Sequence, residues 1–216
     1  MHENFQKQAK SICVFCEPSV ELILQKTTNF LLMCDPFALI PGHLLITSRA
    51  HYGCLGEVPV SLQEEVIMLR EAALIWLDKA FGKTVTRYEH GRAGHCLAQD
   101  VATRSCHHYH EHLIPAPLSL HSALTPRFKC IPFQSELEIY GLFERYNEYL
   151  LVSEPGMEKK FYVARSKAVE PHLLRTLAAI ALGRPERQEW ETYPSCEIML
   201  EGKAQLSSVI EELQFV

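Results

Sequence analysis

His108-Tyr109-His110-Glu111-His112, followed by Leu113-Ile114-Pro115, is the stretch that decides the fold. Read as a β-strand, it sends alternate side chains to one face. His108, His110 and His112 then share a side, spaced by roughly 6–7 Å, while Tyr109, Glu111 and Leu113 take the other. A surface strand that happens to carry histidines is the plain alternative, but three alternating imidazoles closed by Leu-Ile-Pro argue for a site. Two chemistries suit it. A neutral imidazole attacks phosphorus when its second nitrogen is held by a hydrogen-bond acceptor, and neighbouring histidines orient the phosphate and its leaving group. Such chemistry rests on positioning and electrostatics more than on a catalytic metal. The rival is a metal centre, since neutral imidazole is the commonest metal ligand.

Working outward, residues 20–25 and 29–35 read as strands joined by a turn at Thr27-Thr28. Pro41-Gly42 marks a bend, and 43–48 reads as a third strand. Residues 61–81 form the clearest helix. Ser61 and Glu64 match a capping box, Val66, Leu69, Ala73, Trp76 and Ala80 recur at steps of three and four, and Gly82 fits the stop. Residues 84–90 and 108–114 read as further strands. The polar, irregular stretch 91–106 between them is long for a loop in a compact domain, so it is expected beside the ligand. After Pro115 and Pro117 the pattern predicts a helix over 134–147 and a hairpin of 148–153 with 160–164 around Pro155-Gly156. A helix over 171–182, stopped by Gly183 and Pro185, and a short helix over 204–213 follow.

The 216 residues are 47% hydrophobic and 22% charged, enough for a core and suited to one large domain or a domain with an extension. A formal net charge of −5 argues against a surface that coats nucleic acid. A small anionic ligand stays open, because local donors bind phosphates. Residues 1–10 lack the apolar core of a signal peptide, and no apolar run approaches the length of a membrane span. A cytoplasmic protein with no membrane partner is expected. The eight cysteines are then expected to be mostly reduced, buried small hydrophobes. Cys13-Val14-Phe15-Cys16 is the exception, with a spacing that suits a metal.

These features together resemble the histidine-triad (HIT) superfamily, whose hallmark is His-φ-His-φ-His-φ-φ with φ hydrophobic. Here it reads His108-Tyr-His110-Glu-His112-Leu-Ile. Asp35 ahead of Pro41-Gly42-His43, the pair Cys13-Val14-Phe15-Cys16, and Arg49-Ala50-His51 match three further landmarks. The resemblance covers about residues 10–118. The remainder is similar to the C-terminal half of a longer bacterial subgroup, from Leu173-Leu174-Arg175 through Leu182-Gly183-Arg184-Pro185 to Trp190. It implies an α+β fold: a HIT-like antiparallel sheet with one long packing helix over 10–118, and an α/β C-terminal extension, 119–216, packed on it.

By that resemblance His110 is the nucleophile that forms a nucleotidyl-histidine intermediate, and His112 contacts the α-phosphate or the bridging oxygen. Asp35 accepts hydrogen bonds from the ribose hydroxyls. Val14, Phe15, Met33 and Pro36 match base-pocket positions, with ordinary core as the alternative. His43 matches a histidine beside the site or braces the strand. Relatives carry Gly-Gln-Ser or Gly-Gln-Thr before the triad; Ser105 fits, and Arg104 replaces the glutamine and can bind phosphate as a fork. Glu111 is a second departure, a charge on the face away from the ligand that is expected to meet solvent or the C-terminal segment. Zinc-bearing members imply a closed, structural zinc held by Cys13, Cys16, His51 and His108, and no organic cofactor. His90 and His95 are expected to make loop polar contacts. The family also implies a possible homodimer with the long helix and central strand near the two-fold.

The function implied is a nucleotide hydrolase or transferase acting at an α-phosphate of a dinucleoside polyphosphate, phosphoramidate or adenylylated compound. A non-catalytic nucleotide-binding HIT module is the alternative, and a hydrolase with the three histidines on a catalytic metal is a third reading. The expected ligand is a nucleotide or dinucleotide, with no nucleic acid.

Overall fold

Strands β1 (Ile23–Lys26), β2 (Phe30–Cys34) and β3 (Leu44–Ser48) form an antiparallel meander near the N-terminus in the computed structural model, which describes residues 13–93, 107–157, 159–164, 169–189 and 196–214. The first predicted strand begins later than its apolar pattern suggests, because Val20–Leu22 close a 3-10 turn before the ladder starts. Every residue of β2 and β3 is buried, as expected of unbroken apolar strands covered on both faces.

The long helix α1 (Gln63–Phe81) buries Val66, Leu69, Arg70, Ala73 and Leu77. Trp76 and Ala80 flank this stripe, half-buried. Gly82 stops the helix with φ +60°, donating its N–H to Asp78 O at 2.7 Å. The capping box is not formed. Ser61 lies inside a 3-10 turn, Val60–Leu62, that runs directly into α1, so the chain is already helical where an N-cap must be extended. Glu65 instead accepts from the N–H and side-chain amide of Asn29, both at 2.7 Å, tying the helix to the β1–β2 turn.

Strands β4 (Thr86–Gly91) and β5 (His110–Ile114) pair antiparallel, and β5 also pairs with β3, with Thr47 opposite His110 and Leu44 opposite Leu113. The histidine strand is therefore internal to the sheet. It starts at His110, not at His108: the Tyr109 N–H is taken by Tyr52 O at 2.6 Å, which holds 108–109 off the ladder.

The C-terminal segment extends the same sheet. After a single turn α2 (His121–Leu124) come β6 (Phe128–Phe133), α3 (Glu138–Tyr146), β7 (Tyr149–Ser153) and β8 (Lys159–Ala164). β7 pairs with β4, giving, among the described residues, an eight-stranded antiparallel sheet ordered β1-β2-β3-β5-β4-β7-β8-β6. The architecture is α+β. β6 escaped the sequence pattern because Pro132 interrupts it; as the outermost strand it tolerates a missing donor. Helices α4 (Leu173–Ala181) and α5 (Cys196–Gln214) complete the chain, the latter longer than its predicted 204–213. α5 packs on α1 and β2. The long helix is thus packed by α5, and the edge of β4 away from β5 is paired with β7, both from the same chain.

The sheet separates two cores. On one side α1, α5 and Tyr109, Leu113 and Leu151 pack together. On the other, Tyr88, Ile114, Leu150 and Val152 pack under Leu174 and Ala178 of α4. The histidine face looks to the α4 side. No described helix is long and apolar enough to cross a membrane.

Candidate functional site

The first histidine of the run is held apart from the other two. His108 is buried, and its Nε2–H donates to Ser48 O at 2.7 Å, which leaves a lone pair on Nδ1. Nδ1 lies 3.3 Å from Cys13 Sγ and 3.5 Å from Cys16 Sγ, and Cys16 Sγ lies 3.1 Å from His51 Nδ1. The four donor atoms all lie within 4.8 Å of one another. Sulfur and nitrogen ligands on a tetrahedral zinc stand about 3.5 Å apart, given bonds of roughly 2.3 and 2.0 Å, so spacing and donor chemistry fit that ion. Burial lowers the His108 imidazolium pKa to about 4, which keeps the ring in its ligating, neutral form.

His110 and His112 stay together on one face of β5. His110 Nδ1–H donates to the backbone carbonyl of His108 at 2.7 Å, so its lone pair is on Nε2. Its ring stacks on Phe15, centroids 4.5 Å apart. His112 stacks on Tyr88 of β4, its neighbour in register, at 4.4 Å. Burial lowers the pKa of both histidines, and adjacent imidazoles and Arg175 push His112 further down. Both rings are therefore neutral near pH 7.

A chain of hydrogen bonds sets the tautomer of His112. The Leu39 N–H, which can only donate, reaches His43 Nδ1 at 3.2 Å, so the His43 proton is on Nε2. That Nε2–H reaches His112 Nδ1 at 2.9 Å, which puts the His112 proton on its own Nε2. The pair is complementary: His110 offers a lone pair and His112 a donor. His43 sits in this relay as well as in β3's approach, so it does more than brace the strand.

Asp35 follows β2 and is buried. Its Oδ1 accepts from Phe37 N at 2.7 Å, and its Oδ2 lies 3.4 Å from His43 Nε2, 3.8 Å from His112 Nδ1 and 3.7 Å from Arg175 Nη1. Asp35, His43 and His112 form a second group whose donor atoms fall within 4.8 Å. His110 belongs to neither group, which disfavours the reading in which the three histidines share one metal.

The other expected contacts divide. Phe15 lies against the histidines, Pro36 is half-buried beside Asp35, Val14 is exposed, and Met33 is core. Arg104, Ser105 and His95 lie outside the described residues. His90 does make polar contacts, but from β4 and not from a loop: Nδ1–H donates to Ala93 O at 3.2 Å and Nε2 accepts from Leu174 N at 2.9 Å. Among the described cysteines, all free, Cys34 and Cys54 are buried while Cys130 and Cys196 are half-buried.

Glu111 does not meet solvent. It is buried against Arg70 of α1, at 2.8 Å, and Arg87 of β4, at 3.2 Å. The same arginines hold Glu136 of the C-terminal segment at 3.6 and 3.3 Å. The charge that breaks the hydrophobic pattern is thus satisfied by two guanidiniums behind the site. Sequence reasoning missed Arg70 and Arg175; the available signal was a lone arginine on the apolar stripe of a helix in each case.

No family model matches the sequence, and no curated protein matches it. Solved structures that match include proteins described as HIT-like or histidine-triad. A HIT-like protein involved in cell-cycle regulation from Bartonella henselae is 18% identical, with 44% of this chain and 65% of that chain covered and a TM-score of 0.35. A hypothetical histidine triad nucleotide-binding protein from Sulfolobus tokodaii is 18% identical, with 48% and 68% covered and a TM-score of 0.38. Yeast Ap4A phosphorylase in complex with AMP is 14% identical, with 73% and 65% covered and a TM-score of 0.43. The chain thus spans about two thirds of the length of each of these three proteins.

Proposed function

We propose that the chain is a HIT-type nucleotide-binding enzyme, a hydrolase or transferase that acts at an α-phosphate through His110. The observation that carries this reading is the 2.7 Å bond from His110 Nδ1 to the His108 carbonyl, beside a His112 ring whose relay puts a proton on Nε2. His110 Nε2 attacks phosphorus, the P–Nε2 bond forms, and the bond to the leaving group breaks. A phosphate leaving group takes the electron pair as an oxyanion and needs no proton. His112 Nε2–H donates to the α-phosphate or bridging oxygen as charge builds there. Water then attacks, the P–Nε2 bond breaks, and one water proton passes to solvent.

Asp35 binds the ribose in this reading, and Phe15 and Pro36 flank the base; Met33 supports the pocket from the core. Arg104 and Ser105 are assigned to the phosphates by sequence alone. A zinc ion on Cys13, Cys16, His51 and His108 pins the N-terminal segment to the triad, leaving His110 for chemistry.

Intact-mass spectrometry after incubation with dinucleoside polyphosphates and phosphoramidates tests the mechanism. A nucleotidyl adduct is expected on the wild-type chain and none on His110→Asn, which should still fold and bind AMP. Normal turnover by that variant ends the proposal. The stacking of Phe15 on His110 and the burial of Asp35 favour a second reading, a binding module without useful turnover. AMP-induced thermal stabilisation with no activity across the same panel would select it.

A further inference from the structure

The C-terminal segment grips the loop that carries Asp35. Arg175 on α4 donates through Nη2 to Phe37 O at 2.7 Å and to Arg187 O at 3.1 Å. Arg184, just past α4, donates through Nη1 to Leu39 O at 3.2 Å. Leu39 is the residue whose N–H sets the His43 tautomer. On the sheet side, Leu174 N donates to His90 Nε2. Two carbonyls and the helix backbone therefore orient the Arg175 guanidinium, which is only 6% exposed.

That guanidinium is underused where it faces Asp35. Nη1 stands 3.7 Å from Asp35 Oδ2, too far for a hydrogen bond. Nε is buried with no hydrogen-bond partner among the described residues. Among the described residues the ion-pair contacts of Asp35 Oδ2 are long, 3.4 to 3.8 Å. A carboxylate lone pair and guanidinium donors at this separation suit a group that both donates and accepts, or a bridging atom between them. A phosphate does not qualify, because Asp35 repels it. A sugar hydroxyl does.

We propose that Arg175 is a specificity-determining residue of the nucleotide site: Asp35 accepts from the ribose hydroxyls and Arg175 donates to them. This rests on the nucleotide-binding reading above. It gives the C-terminal segment a direct part in recognition, and it makes the ligand a ribonucleotide and not a deoxyribonucleotide.

Calorimetric titration of the full chain with AMP, 2′-deoxy-AMP and 3′-deoxy-AMP tests it. Wild type should bind AMP about 10-fold or more tightly than 2′-deoxy-AMP, the scale of a hydrogen bond to a charged group, with 3′-deoxy-AMP showing whether the second hydroxyl is read as well. Arg175→Met should weaken AMP about 10-fold and shrink that preference at least about threefold. Arg175→Lys, which keeps the charge, should recover part of the affinity. An unchanged preference in Arg175→Met overturns the inference. Tighter AMP binding by Arg175→Met also overturns it, since Arg175 would then be a plug. If that variant does not fold, a crystal structure of wild type with AMP decides: no Arg175 nitrogen within about 3.2 Å of a ribose oxygen overturns it. Failure of wild type to bind any of the three nucleotides overturns the nucleotide-binding reading itself; binding without ribose preference overturns only the role of Arg175.

Discussion

Arg70 Nε donates to Glu111 Oε2 at 2.8 Å, on the face of β5 opposite His110 and His112. The pair is buried at both ends, with 3% side-chain exposure for each residue. Because Arg70 and Arg87 also hold Glu136, this cluster joins α1, β4, β5 and the C-terminal segment behind the site. Removing one member leaves uncompensated charge in a dry environment. Glu111→Ala should therefore cost about 3–5 kcal/mol of stability, read from urea unfolding. A loss below about 1 kcal/mol would show that water reaches the cluster.

Gly202 of α5 sits on Gly42. A Cβ at 202 would lie 2.2 Å from the Gly42 nitrogen, which is backbone and cannot rotate away. Gly42 itself has φ +82° in the bend that precedes His43. Gly202→Ala should lift α5 from this bend and destabilise the chain by about 1–3 kcal/mol, measured by thermal or urea unfolding. Wild-type stability in that variant would refute the close approach.

Metal content should follow the four-residue cluster. Purified chain should carry about one zinc, and Cys16→Ser or His51→Ala should lower both metal content and melting temperature, because the binding free energy of a structural zinc is folding free energy. Chelation of the wild type should lower the melting temperature in the same way. Retention of zinc by both variants would move the site elsewhere.

Acid should unfold the chain partly through His43. Burial lowers its pKa from 6.5 to about 4; the charge on Asp35 opposes this and Arg175 adds to it. Between these values the unfolded chain binds a proton that the folded chain does not, so stability falls as pH drops from about 6.5 through about 4. The loss from this group is on the order of 3 kcal/mol. His43→Gln should flatten the stability profile in that window. A wild-type profile flat from pH 7 to 4 would show that the fold does not lower the proton affinity of His43.

Much of the fold was legible because it is written in local periodicity. The alternation of His110 and His112 against Glu111 and Leu113, the apolar runs of β2 and β3, and the 3.6-residue stripe of α1 need no distant partner to be read. The capping box at Ser61 failed because the preceding residues turn helical early, a choice made by packing. β6 was hidden by Pro132, which only its place at the sheet edge makes tolerable.

The sequence by itself determined which residues are candidates for the chemistry: the histidine run, the Cys13/Cys16 pair, Asp35 and His43. Only the tertiary structure decided which of them stand together and what each one bonds to. The ring nitrogen that bears the proton in His112 depends on Leu39 through His43, and the environment of Asp35 depends on Arg175, far along the chain. Glu111, expected to meet solvent or the C-terminal segment, is buried among guanidiniums from α1 and β4 that also hold Glu136 of that segment. Tautomers, ion pairs and desolvation are set by neighbours in space, and no local pattern encodes who those neighbours are.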